Sequence, residues 1–242
     1  MTRTTNARLA GSVLLLYIVT GVASVVLFGQ ATSGGVGTAG KLASLAQHAL
    51  LVQVTIVLTL LQAAYALVLG VTMYALTRDQ DRDLAVMALC CRVAEGVVAA
   101  ISPVRALALL SIATAITTTA SADSTEAQAL GGLLLKMGGW AGLISATCFA
   151  VGSTLFSYLF LRARSIPVSL AWLGMCASVL LVVALPLQLA GFIEGAAINF
   201  IWIPMLVFEV PLGLWLLVKG VGAPLTRQSP GPLVQAFRAE KG

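Results

Sequence analysis

Charge is what this chain has least of. Only 10% of its 242 residues are charged and 59% are apolar, against about 25% and 45–50% in soluble globular domains. A water-soluble fold is excluded. Histidine occurs once, at His48, which excludes haem held by two histidines of one chain. The four cysteines, Cys90, Cys91, Cys148 and Cys176, lie inside apolar segments and form no C-x-x-C pair, so neither a disulfide framework nor a zinc site is expected. They read as small polarizable apolar residues. Also missing are a G-x-S-x-G elbow, an H-E-x-x-H helix, a phosphate loop and a dinucleotide-binding glycine fingerprint, so no catalytic residue, metal or cofactor is assigned. The net charge of +5 does not point to nucleic acid, because the basic residues are scattered between apolar runs and report membrane orientation instead.

What the chain does have is length of apolar sequence. Six segments are long enough to span a bilayer: Leu9 to Gly29, Leu50 to Leu76, Leu84 to Thr119, Leu133 to Leu161, Ser169 to Ile193 and Phe200 to Val218. The first follows Arg3 and Arg8 and imitates a signal peptide, but its apolar run is too long for a typical h-region, so it reads as a retained helix. The fold expected is an all-α bundle of six transmembrane helices over residues 1–220, with residues 221–242 as a short, disordered cytoplasmic tail. With the N-terminus inside, the cytoplasmic segments collect Arg3, Arg8, Arg78, Arg82, Arg162, Arg164, Lys219, Arg227, Arg238 and Lys241, and the outer loops only Lys41 and Lys136. That bias predicts both termini in the cytoplasm. Trp140 and Trp202 then fall near outer ends, Trp172 and Trp215 near inner ends. The third segment would reach about 54 Å as a helix against a hydrocarbon thickness of about 30 Å. A single long helix, kinked near Pro103 and projecting outward, agrees best with the charge bias. Gln30 to Gly40 and Ser121 to Gln128 are expected as outer loops.

Ionisable groups at mid-membrane depth are the strongest pointer to function, since each costs about 2.5–3.5 kcal/mol on insertion scales unless paired or hydrated. Arg92 and Glu95, three apart, share a face of the third span, and Glu209 sits near the middle of the sixth. Two carboxylates against one arginine leave a surplus negative charge, relieved most cheaply by a proton on Glu209. Pro204 and Pro211 are expected to free carbonyls near Phe200 and Val207, as in broken helices that line transporter sites. On the second span His48, Thr55, Thr59 and Gln62 make one polar stripe that should face the interior, with Gln53 pointing elsewhere. Gly138 and Gly142, extended by Ala146 and Ala150, form a flat face for close helix approach, either within the chain or in a homo-oligomer. The binding residues expected are thus Arg92, Glu95, Glu209, Gln62 and Thr59. Two functions fit: a carrier or receptor for a small, apolar or weakly acidic molecule, or a structural or assembly subunit of a membrane complex. An enzyme would need a nucleophile or metal that the sequence does not supply.

Several stretches also carry a resemblance over nearly the whole chain. They are Ala7-Arg8-Leu9-Ala10-Gly11, Arg92 with Glu95, Arg162 to Pro167 followed by Trp172-Leu173-Gly174, and Phe208-Glu209 followed by Gly213-Leu214-Trp215-Leu216-Leu217-Val218-Lys219-Gly220. With these the sequence resembles a bacterial membrane family known as domain of unknown function 4386. The resemblance implies six membrane helices in the bacterial inner membrane and carries over no catalytic residue. Val168 stands where a basic residue is expected after Pro167.

Overall fold

A computed structural model describes residues 2–118, 124–193 and 200–221. All regular structure in these residues is helical: α1 Arg3–Thr32, α2 Gly37–Gln47, α3 Ala49–Thr77, α4 Arg82–Thr118, α5 Ser124–Ala163, α6 Val168–Leu189 and α7 Ile203–Val218. Five of them, α1 and α3 to α6, are long and apolar enough to cross a membrane; α7, with 16 residues, is shorter. The chain is an all-α, multi-pass membrane protein. Its outer faces carry large apolar side chains such as Val25, Val104 and Val218, each at least two-thirds exposed. In water such a surface would be a liability, whereas acyl chains cover it without cost.

The helices close into a ring. α1 packs on α3, α3 on α4, α4 on α5, α5 on α6, α6 on α7, and α7 returns to α1. At one end Arg3 pairs with Asp79 at 3.6 Å and Arg162 with Asp81 at 3.3 Å, while Asp81 accepts from the backbone N–H of Leu84 to start α4. These exposed pairs add little stability, but they gather the N-terminus, the α3–α4 turn and the end of α5 at one pole. Arg164, with a left-handed φ of 47°, closes α5 there in the position that glycine usually takes.

The stretches that carry the family resemblance meet one another in this ring. Gly11 of α1 lies so close to α7 that a Cβ there would be 2.6 Å from the carbonyl oxygen of Gly213 and from the backbone nitrogen of Leu217. Gly174 of α6 makes room for the ring of Phe208. Near the basic pole one large core, containing Leu14, Met73, Phe156, Phe160, Phe208 and Leu216 among others, fills the ring.

Several expectations are corrected. The segment Gln30 to Gly40 is not simply a loop: from Gly37, at φ +75°, the chain enters α2, which buries Leu42 and Leu45 with Ala31, Ala106 and Leu109 in a second core at the opposite pole. The acidic loop is shorter than expected, because Ser124 already begins α5, a helix of 40 residues and about 60 Å. α4 is one continuous helix with Pro103 inside it. Pro204 lies in the first turn of α7, where its missing N–H would have had no helical partner, so it starts a helix instead of breaking one. Apart from Val221, the expected tail at 221–242 lies outside the described residues.

Candidate functional site

Between the two cores, in the half of the ring away from the basic pole, the helices surround a half-open cavity of about 550 Å³, lined by residues of α1, α3, α4, α5 and α7, among them the exposed Val25. That size is within the range of small-molecule sites, about 300–1,000 Å³. Its floor is built on Arg92. The first methylenes of this side chain lie between Gly70 of α3, where an added Cβ would be 3.0 Å from the Arg92 Cβ, and Gly152 of α5, where one would touch its Cγ at 3.7 Å. Its Nη1 donates to Glu95 Oε2 at 2.8 Å. Tyr17 donates its hydroxyl to the other oxygen, Oε1, at 2.5 Å, and Ser145 donates to the Glu95 backbone carbonyl at 3.1 Å. The guanidinium carbon lies 4.7 Å from the centroid of Phe149 and 5.8 Å from that of Tyr17, within cation–π range.

Arg92, Glu95 and Glu209 are all buried in the bundle, turned toward its centre and away from lipid. Glu209 joins them across space. It lines the cavity together with Glu95, and on its other side it lines, with Arg92, Ser153 and Ser157, a separate void of about 20 Å³, room for about one water. Yet Glu209 makes no hydrogen bond or ion pair among the described residues. Glu95 is saturated by Arg92 and Tyr17. Glu209 is the carboxyl group left facing the space.

Thr59 and Gln62 line the cavity with Thr55, as the stripe on the second span predicts. Thr55 donates back to Leu51 O and Thr59 to Thr55 O, both at 2.8 Å, so these hydroxyls are satisfied within α3. His48 is exposed at the helix start and its Nδ1 lies 2.9 Å from Ser44 O. Within the chain, Gly138 and Gly142 do not face a helix backbone; Gly138 makes room for the Arg105 side chain of α4. Both line the cavity, and a Cβ on Gly142 would meet open space.

Two residues of the site escape the sequence reading. Tyr17 is one. The other is Arg105, whose guanidinium lies over Gly138 so closely that a Cβ there would overlap it. It lines the cavity, donates from Nη1 to Leu134 O at 3.2 Å and lies 5.8 Å from the Phe28 ring. Its Nε is buried with no partner, and it forms no ion pair among the described residues. Ten residues of helix separate Arg105 from Glu95, about 15 Å. At that distance, with an effective dielectric constant near 20, opposite charges attract by only about 1 kcal/mol, against about 4 at contact. The two ends of the cavity are therefore electrostatically separate.

Tyr17→Phe checks the floor. Removing the hydroxyl leaves Glu95 Oε1 unmet in a buried place, and a loss of about 1.5–3 kcal/mol is expected, read by unfolding in mixed micelles. A change under about 0.5 kcal/mol would mean that water replaces the phenol and that the floor is wet.

No curated protein and no solved structure matches the chain. A family model does, over residues 9–220, which takes in the α1–α7 crossing and every residue of the floor. The chain belongs to the family described as domain of unknown function (DUF4386).

Proposed function

We propose that this protein is a carrier or receptor that holds a small molecule in the cavity between its two cores. One observation carries the reading: the space reaches a buried carboxyl group, Glu209, that has no partner among the described residues. A structural or assembly subunit calls instead for tight packing at Glu209, whereas here a half-open cavity reaches it. The gathering of basic residues at one pole supports an orientation with that pole in the cytoplasm. The cavity then lies in the outer half of a bacterial inner membrane. Thr59, Gln62, Glu95 and Glu209 line it, and Arg92 positions Glu95 from below.

The test fills the space. Gly142→Leu puts a side chain where a Cβ has room, so folding should be kept while the site is blocked. Dodecanol is titrated calorimetrically into lipid nanodiscs carrying either protein, and the difference removes its partition into lipid. Saturable binding to the unaltered protein, lost in Gly142→Leu, is expected. Identical titrations of the two proteins, with dodecanol and with its charged analogues of the same chain length, would overturn the proposal.

A further inference from the structure

The charged groups of the cavity lining lie at its two ends, and the wall between them carries no charge. At the floor, both oxygens of Glu95 are taken by Arg92 and Tyr17, while Glu209 has no partner among the described residues. At the far end Arg105 gives one hydrogen bond to a helix carbonyl and keeps its Nε unpaired. Along the wall between them, the threonine hydroxyls bond within α3 and Ser24 lies 3.3 Å from Thr59 Oγ1. Val22, Ile56 and Ala99 supply apolar lining. A methylene chain fits the apolar part of this wall, with Gln62 and Ser102 as its uncharged polar points.

Resting on the small-molecule reading above, we infer that the ligand is an elongated zwitterionic amphiphile: an acidic group at Arg105, an ammonium group that displaces the proton of Glu209, and between them an apolar chain matched to the rise of α4 from Glu95, at the floor beside Glu209, to Arg105, about 15 Å. A fatty carboxylate alone would meet Arg105 and leave its tail against the polar floor. An alkyl amine alone would meet Glu209 and leave Arg105 without an anion. Only a molecule charged at both ends satisfies both, and each end is discriminated separately because the two protein charges are too far apart to neutralise each other.

Four probes of one chain length test this in nanodiscs by calorimetry: ω-aminododecanoate, dodecanoate, dodecylamine and dodecanol. The unaltered protein is expected to bind ω-aminododecanoate about tenfold more tightly than either singly charged probe, since a charge-assisted hydrogen bond exceeds that factor. Arg105→Gln should weaken ω-aminododecanoate and dodecanoate by about tenfold and leave dodecylamine unchanged, and Glu209→Gln should do the converse. The ranking of probes on the unaltered protein stands even if a variant fails to fold. Equal binding of all four, blocked by Gly142→Leu, would overturn the zwitterion and leave the cavity as a small-molecule site. Binding of none would overturn both.

Discussion

Replacing Arg92 with alanine is expected to lower the stability of the bundle by about 3–5 kcal/mol, as for other buried ion pairs stripped of one partner. Three losses add up. Glu95 Oε2 loses its donor at 2.8 Å and is left as a buried charge held only by Tyr17. Glu209, which faces Arg92 across the small void, loses the nearest positive charge. The slot between Gly70 and Gly152 empties, and glycine has no side chain with which to fill it. Arg92→Met keeps most of the volume and so isolates the charge effect. Adding Glu95→Met to it should recover much of the stability, because an apolar pair of similar size often replaces a buried ion pair without loss. The measurement is unfolding in micelles of rising denaturing detergent for the unaltered protein, Arg92→Ala, Arg92→Met and the double variant. A cost below about 1 kcal/mol for Arg92→Ala would mean that water, not Arg92, balances the carboxylates.

The reasons why part of this site is legible in the sequence, and part is not, are physical. Arg92 and Glu95 stand out because a charge inside a long apolar run has few explanations, and their spacing of three fixes a common face. Glu209 is legible from its distance to either end of its span. Arg105 is not, because it lies in the part of α4 that a bilayer of ordinary thickness leaves close to the interface, where an arginine is unremarkable. Only the seat over Gly138, from a different helix, draws it into the cavity. Tyr17 reads as one more aromatic residue until Glu95 is placed opposite it. The small residues Gly138 and Gly142 announce that something comes close or that space is left. They do not say which, and here a guanidinium and a cavity take the place of a neighbouring helix. For α2 a weak signal exists in Leu42 and Leu45, three apart, but the surrounding glycine, threonine and serine resemble a loop. The short stretches shared with the family are explained by contact: Gly11 meets Gly213, and Gly174 meets Phe208.

That first contact carries the second large effect. In Gly11→Ala the added methyl would be 2.6 Å from two backbone atoms of α7, the carbonyl oxygen of Gly213 and the nitrogen of Leu217, and no rotamer change can relieve a clash with backbone. α1 and α7 must separate, at a cost of at least the 1–3 kcal/mol typical of overpacking. Gly174→Ala meets the ring of Phe208 and the hydroxyl of Ser157 instead, and because side chains can turn aside its cost should be smaller. Gly139→Ala, where a Cβ meets nothing within 4 Å, should gain up to about 1 kcal/mol from helix propensity. The order Gly139→Ala, Gly174→Ala, Gly11→Ala, from most to least stable, is the expected result of parallel unfolding curves. The consequence for the site follows from the same helix. α7 brings both Leu206 and Glu209 to the cavity, so a shift of α7 away from α1 moves Glu209 away from Tyr17 and Arg92. Gly11→Ala should therefore weaken ω-aminododecanoate, which uses Glu209, more than dodecanoate, which is anchored at Arg105 on α4. If both probes weaken equally, α7 does not position the ammonium site, and the carboxyl group that receives it must be sought on α4.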